Sequence, residues 1–250
     1  MRKRRGQPID GIVLINKPVD CSSNHALQRV KRLIDAQKAG HTGTLDPFAT
    51  GLLICCLGRA TKIAGRMLDA DKAYLATLQF GQETDSGDRT GVVTMDAGAN
   101  FVPPAKEQLL TVLSHFTGTI EQVPPMTSAL KHQGKPLYQY ARQGIVIDRP
   151  PREVTIHALE LVEFDGQHAT VHVQCSKGTY VRTLAQDIGR CLGVGAHLVD
   201  LCRTRIGPFE LGDAWSIAEL EAKECRTDAV RALDTLPAGY QLDDSRANAH

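Results

Sequence analysis

The sequence lacks several features that would place it in a special class of protein. None of its apolar stretches approaches the roughly 20 residues that span a bilayer, and it contains no internal repeat or low-complexity segment. Its seven cysteines are odd in number and include no Cys-x-x-Cys spacing, which argues against a disulfide framework and a zinc site. We expect buried thiols, no metal and no cofactor.

The opening residues Met1 to Arg5 are basic, but no apolar segment of signal-peptide type follows them. A cytoplasmic protein is therefore expected. Apolar residues make up 42% and charged residues 23% of the chain, as in globular proteins. The length of 250 residues suits one large domain, which we expect over residues 1–240, followed by a flexible tail over 241–250.

The net charge of +1 conceals an uneven distribution along the chain. Residues 1–66 hold 12 Lys and Arg against 4 Asp and Glu, a difference of +8, whereas residues 213–250 hold 4 against 8, a difference of −4. A polyanion is therefore expected to meet the N-terminal half. A basic face that is merely solvated is the alternative, and charge alone favours it.

Hydrophobic periodicity predicts strands and helices that mix without a strict βαβ repeat, which indicates an α+β fold. Ser22 or Ser23 is expected to cap the first helix, which contains Leu27 and Val30. The predicted strands are 11–16, the buried run 52–57, 72–80, 91–96, 152–164, 168–175 and 197–206. The predicted helices are the one after Ser22, then 59–69, 104–116, 179–192, 216–224 and 227–235.

Residues 40–53, Gly-His-Thr-Gly-Thr-Leu-Asp-Pro-Phe-Ala-Thr-Gly-Leu-Leu, place Asp46 in a loop that leads into the buried run. Gly40 and Gly43 relax the limits on the backbone, and Pro47 directs Asp46 away from the helical region. An Asp-Pro pair that merely starts a turn is the alternative. The additional glycines and the following apolar run favour a catalytic carboxylate.

This stretch resembles the catalytic motif of the B-type pseudouridine synthases, the family that modifies uridine 55 in the T loop of transfer RNA. The resemblance covers about residues 9–212. It continues in the family's order through Gly11 to Pro18, Asp71 to Tyr74, Ser128 to Lys131, Leu137 to Gly144 and Cys175 to Arg182. It implies the pseudouridine synthase fold, a mixed and largely antiparallel sheet flanked by helices.

The resemblance implies that Asp46 is the catalytic residue of a glycosidic rearrangement in which uracil leaves through N1 and is rejoined through C5. The carboxylate attacks uracil C6 or acts at ribose C1′, and the sequence does not choose between these routes. Arg182 matches the family's arginine and is expected to pair with Asp46, with phosphate contact or a surface position on a helix as the alternatives. Tyr74 matches the tyrosine that stacks on the extruded base.

Four further residues are expected to have supporting roles, and three of them, His41, Leu201 and Lys17, match family positions. His41 is expected to contact or help to flip the base, and Leu201 is expected to pack beside it and exclude water. Lys17 is expected to support the floor of the site. Lys62, in the helix predicted after the catalytic segment, is expected to contact phosphate, with a plain exposed lysine as the equal alternative.

Residues 124–151, hereafter the insertion, match the family's segment that packs against the T stem-loop. Prolines enclose basic and aromatic residues there, of which Lys131, Tyr138 and Arg142 are the RNA-contact candidates. The target uridine must leave its stack to reach a carboxylate, so the shape of the transfer RNA is expected to supply selectivity. No membrane and no obligatory protein partner is expected, although guide-RNA-directed relatives share the catalytic motif.

The chain departs from the family at three positions. Asp20 stands where glycine is usual, Thr127 where an aromatic residue is frequent, and Cys202 where arginine is common. The small C-terminal RNA-binding domain of the type called PUA, which many members carry, is expected to be absent or truncated.

Two other functions fit parts of the sequence. A transfer-RNA-binding folding helper without essential chemistry would use the basic N-terminal half and the insertion. A small-molecule hydrolase would need a second carboxylate, for which Asp85 and Asp88 are candidates, but turn propensity already explains that pair.

Overall fold

The computed structural model describes residues 6–242, which divide into two compact units. The first unit contains the residues up to Lys72 and those from Cys202 on, and the second contains Ala73–Leu201. No helix within 6–242 has the length and apolar character to cross a membrane. The expected flexible tail lies, from residue 243 on, outside the described residues, and the prediction of one domain over 1–240 stays a prediction.

The described residues form fourteen strands and six α-helices. The strands are β1 (Gly11–Lys17), β2 (Ala39–Thr42), β3 (Thr50–Leu57), β4 (Lys72–Phe80), β5 (Gln82–Thr84), β6 (Val93–Asp96), β7 (Gly118–Gln122), β8 (Lys131–His132), β9 (Lys135–Pro136), β10 (Arg152–Phe164), β11 (His168–Cys175), β12 (Ala196–Ile206), β13 (Phe209–Glu210) and β14 (Trp215–Ser216). The helices are α1 (Ser23–Leu33), α2 (Ala64–Asp69), α3 (Lys106–His115), α4 (Leu137–Ala141), α5 (Val181–Cys191) and α6 (Ile217–Ala222).

The first unit is organised around the antiparallel pair β1 and β3, whose register runs from Gly11 opposite Leu57 to Lys17 opposite Gly51. Its strand order is β14-β1-β3-β12, with β2 also paired to β3 and β13 to β12. The β1–β14 and β3–β12 pairs are parallel and the others are antiparallel, so the sheet is mixed.

Apolar residues alternate between two cores on the opposite faces of β1 and β3, because successive side chains of a strand point to opposite sides. On one face, Val13 and Cys55 pack with α1 and α6. On the other, Leu14 and Cys56 pack with Met67 of α2 and with Phe209. Burial on both faces explains the continuous apolar runs in the two strands.

The second unit, to which β12 belongs up to Leu201, has the strand order β12-β4-β11-β10-β7. In it, β10 and β11 form a long antiparallel hairpin with two register shifts. Helix α3 packs on β10 and on α5. The β5–β6 hairpin forms its own two-stranded sheet. The insertion contains the small β8–β9 hairpin and α4.

Most of the predicted elements are confirmed, including the cap of α1, where the Ser22 hydroxyl accepts from the His25 N–H at 3.1 Å. The helix predicted over 59–69 is instead a 3₁₀ turn, Gly58–Lys62, followed by the shorter α2. The helix predicted over 227–235 is wrong. Two 3₁₀ turns flank Arg231 there, because its backbone N–H and carbonyl pair with Ile12 at the start of β1.

The prediction that the cysteines are buried thiols holds for only three of seven. Cys55, Cys56 and Cys175 are buried, Cys21 and Cys202 are partly exposed, and Cys191 and Cys225 are exposed. Burial raises the pKa of the Cys56 thiol to about 12 and that of Cys55 further, so these two thiols are unreactive. All seven are free thiols.

Candidate active site

The first unit holds Asp46 in the loop between β2 and β3. The Asp46 carbonyl accepts from the Ala49 N–H at 3.1 Å, which closes a turn. The buried hydroxyl of Ser23 donates to the Leu45 carbonyl at 3.0 Å and accepts from the Leu45 N–H at 2.8 Å. Leu45 and Phe48 are buried, so the residues on both sides of Asp46 are anchored in the core.

Gly43 has a φ of +74°, as expected for a glycine that relaxes the loop backbone. The prediction for Gly40 is wrong, because Gly40 lies in β2 opposite Cys56 and does not have a positive φ. Asp20, where the resemblance implies glycine, has a φ of +55°. Aspartate tolerates this left-handed conformation better than most residues, so the substitution is compatible with the same backbone path.

Lys17 is completely buried, and its ammonium group supports the loop through hydrogen bonds to backbone carbonyls. Its Nζ donates to the carbonyls of Pro18 at 2.8 Å, Cys21 at 2.6 Å and Pro47 at 3.2 Å. Burial lowers the pKa of Lys17 to about 8, while the negative charge of Asp46 acts in the opposite direction. The bond to Pro47 holds the residue that follows Asp46, in agreement with the supporting role expected for Lys17.

Arg203 is a second buried cation beside the loop, and no sequence pattern predicted it. Its Nε donates to the Leu52 carbonyl at 2.8 Å and its Nη2 donates to the Gly43 carbonyl at 3.1 Å. Lys17 and Arg203 both lie opposite Gly51, one on β1 and the other on β12. The sequence does not predict that Lys17, Gly51 and Arg203 lie side by side, because this arrangement depends on pairing between three strands that are distant in the chain.

His41 and Lys62 also lie in the first unit. His41 is on β2 and is partly buried, and burial together with the positive charge of Arg203 lowers the pKa of its imidazole below 6.5. Within residues 6–242, its buried Nδ1 has no hydrogen-bond partner. Lys62 is exposed at the end of the 3₁₀ turn rather than in the predicted helix.

The second unit holds Arg182 in the first turn of α5, with its side chain 95% buried. The residue that precedes α5 is fixed by Gln122, whose amide accepts from the Tyr180 N–H at 3.0 Å and donates to the Tyr180 carbonyl at 3.3 Å. Gln122 ends β7 and is itself buried, so the start of α5 is tied to the sheet.

The guanidinium of Arg182 lies 3.6 Å from a carboxylate oxygen of Asp88 and donates to the Ser86 carbonyl at 2.8 Å. Asp88 also accepts from Ser86 Oγ at 2.9 Å and from the N–H of Thr90 at 2.9 Å. Turn propensity explains these local bonds of Asp88 but does not predict its buried ion pair with Arg182. The pairing of Arg182 with Asp46 stays a prediction.

Tyr74 lies on β4 and is 9% exposed, and Leu201 lies on β12 and is 5% exposed. Both belong to the second unit, as do the three candidates in the insertion. There, the Arg142 guanidinium stacks over the Tyr138 ring with 5.4 Å between Cζ and the ring centroid. Lys131 is exposed on β8.

Comparison with known proteins identifies the family. A model of the TruB family pseudouridylate synthase N-terminal domain matches residues 31–181, and one of the tRNA pseudouridylate synthase B C-terminal domain matches residues 182–237. The chain is 62% identical over 239 residues to tRNA pseudouridine synthase B of Bordetella pertussis, covering 96% of this chain and 98% of the relative. The relative of the same name in Chromobacterium violaceum is 56% identical over 214 residues, covering 86% of this chain and 69% of the relative.

Among solved structures, a chain in the crystal structure of a Cbf5-Nop10-Gar1 complex is similar, with a TM-score of 0.69 and 28% identity. The match covers 89% of this chain and 60% of the length of that one. The expected α+β fold is therefore confirmed by the mixed sheet with its helices and by this neighbour. The chain belongs to the TruB family of pseudouridylate synthases.

Proposed function

We propose that this protein isomerises uridine to pseudouridine at position 55 in the T loop of transfer RNA. The observation that carries the proposal is the anchored loop around Asp46, in which Ser23, Lys17 and Arg203 hold the backbone on both sides of the carboxylate. A catalytic group must be held by a rigid scaffold to act on a base in a defined position. The names of the relatives, tRNA pseudouridine synthase B, support the choice of substrate.

Asp46 acts as the nucleophile, at uracil C6 or at ribose C1′. The bond from C1′ to N1 breaks, the base turns, and a new bond forms from C1′ to C5. The hydrogen at C5 then leaves as a proton, N1 gains a proton, and the bond to Asp46 breaks, which restores the carboxylate. The reaction changes no oxidation state and needs no cofactor. The positive charge of the buried Lys17 attracts the carboxylate, which supports the ionised form that attack requires.

The remaining residues hold the substrate and do not take part in breaking or forming the glycosidic bond. Tyr74 stacks on the extruded uracil, Leu201 excludes water, and His41 contacts the base as a neutral imidazole. Extrusion costs a few kcal/mol, which stacking and backbone contacts offset.

The insertion holds the T stem-loop. Its exposed Lys131 is placed for a phosphate, and the stacked pair of Tyr138 and Arg142 offers a flat cationic surface to a base or to the backbone. Lys62 adds a phosphate contact. The protein works in the cytoplasm without an obligatory protein partner.

The proposal is tested with transfer RNA that carries tritium at uracil C5. Wild-type protein is expected to release tritium, Asp46→Asn to release at least about a thousandfold less because the nucleophile is lost, and the exposed Asp228→Asn to match the wild type. A transcript with cytidine at position 55 should release none from that site. Equal release by wild type and Asp46→Asn would reject the assignment. Retained transfer-RNA folding by Asp46→Asn, without any release by the wild type, would favour the folding helper.

A further inference from the structure

Two segments of the second unit bind the guanidinium of Arg182, and they differ in how firmly they are attached to the rest of the unit. One side is the turn containing Ser86 and Asp88, which supplies the carbonyl and the carboxylate described above. The other side is Thr127 of the insertion. The Thr127 hydroxyl accepts a short hydrogen bond from Nη1 of Arg182, and the Thr127 carbonyl accepts from Nη2 at 3.0 Å.

The turn side is tied to the sheet by backbone bonds. The Leu198 N–H of β12 donates to the Gly87 carbonyl at 3.0 Å, and the Leu198 carbonyl accepts from the Arg89 N–H at 2.8 Å. The Gln186 amide of α5 adds a bond to the Thr84 carbonyl at 3.0 Å. These bonds fix the turn relative to α5, the helix that carries Arg182.

Thr127 is anchored differently, because it lies at the base of a segment with little regular structure. The insertion has only a five-residue helix and a hairpin of two-residue strands, and its Val146 is 77% exposed. A ligand that holds the insertion therefore restrains one of the two sides of the Arg182 guanidinium.

The hydroxyl contact is particular to this residue type. Any residue at position 127 offers a backbone carbonyl, but only threonine and serine place a hydroxyl at the γ position. The branched side chain of threonine also restricts χ1, so its hydroxyl is held in few orientations. A charged donor makes a stronger hydrogen bond than a neutral one, so losing this acceptor has a measurable effect.

We infer that Thr127 is a positioning residue that couples RNA held by the insertion to the orientation of the Arg182 guanidinium. The coupling to RNA rests on the proposed function, whereas the contact between Thr127 and Arg182 can be tested in the protein without RNA. It requires that removal of the hydroxyl slow the chemical step more than it weakens RNA binding.

The variants are Thr127→Val, which keeps the shape and removes the hydroxyl, and Thr127→Ser, which keeps the hydroxyl. Thr111→Val on the exposed face of α3 is the matched control. At saturating transfer RNA, Thr127→Val is expected to lower the single-turnover rate of tritium release about tenfold, with the Kd for transfer RNA within about twofold of wild type. Thr127→Ser should recover the rate to within about threefold, and Thr111→Val should be unchanged.

A second measurement does not depend on activity. In the free protein, NMR signals of the arginine side chains report rotation about the Cζ–Nη bonds, with Arg182 assigned through Arg182→Lys. Rotation is expected to be slow in wild type and Thr127→Ser and faster in Thr127→Val.

If rotation about the Cζ–Nη bonds of Arg182 is unchanged in Thr127→Val, the inferred contact is wrong. If the single-turnover rate of Thr127→Val is unchanged, whether or not its Kd for transfer RNA is raised, the coupling is wrong. A wild-type protein that releases no tritium refutes the proposed function and with it the coupling to RNA, whereas the rotation measurement still decides whether Thr127 positions Arg182.

Discussion

Gly51 provides the sharpest test of how the loop around Asp46 is supported, because it lies between the strands that carry Lys17 and Arg203. Its φ is +100°, and a Cβ added there would lie 2.3 Å from the carbonyl oxygen and 2.6 Å from the backbone nitrogen of Arg203. Contacts this short do not occur in folded proteins, so Gly51→Ala requires β3 and β12 to separate locally.

Two costs add in Gly51→Ala. A residue with a side chain forced into this backbone conformation costs about 1–3 kcal/mol, and overpacking costs about 1–3 kcal/mol more. We therefore expect the free energy of unfolding to fall by about 2–6 kcal/mol. Tritium release should also fall, because the same shift displaces the two cations that hold the loop.

The matched control is Gly65→Ala on α2, where an added Cβ meets no atom within 4 Å. Alanine is the better helix former by up to about 1 kcal/mol, so this variant should be as stable as wild type or slightly more stable. Urea unfolding followed by circular dichroism measures both variants. A Gly51→Ala protein within about 0.5 kcal/mol of the wild type would refute the close approach of the two strands.

Two further predictions concern the charged groups around the loop. Lys17→Met leaves three carbonyl oxygens without their donor and should lower the free energy of unfolding by about 3 kcal/mol, whereas the exposed Lys62→Met should change it by less than about 0.5 kcal/mol in urea unfolding. The pKa of His41 is lowered from 6.5, so between the lowered value and 6.5 the unfolded chain binds a proton that the folded protein does not. The free energy of unfolding should therefore fall through this window as the pH drops, and less so in His41→Gln; parallel pH profiles of the two proteins would contradict the shift.

The sequence predicts those parts of the fold in which local pattern and tertiary packing agree. The apolar runs of β1 and β3 are buried on both faces, as their composition indicates, and the period of α1 matches the face that contacts the core. The glycine-punctuated loop around Asp46 was predicted for the same reason, because its turn residues and its buried anchor lie within one short stretch.

Other features depend on contacts that no local pattern encodes. The helix expected over 227–235 does not form because Arg231 pairs with Ile12, and pairing between distant segments overrides helix propensity. Arg203 on a strand resembles an alternating surface residue, although its guanidinium is buried against carbonyls. The ion pair of Asp88 with Arg182 cannot be predicted from the local sequence either, because a polar turn is a sufficient explanation for an aspartate at that position.

The two cores on either side of β1 and β3 also have a consequence for how this family diverges. Neighbouring positions such as Cys55 and Cys56 face separate sets of side chains, so a change of volume at one is compensated within its own set and not across the strand. Substitutions can therefore accumulate in one layer while the other stays fixed. The backbone of β1 and β3 between the two layers, and with it the loop around Asp46, then needs no change of path to accommodate them.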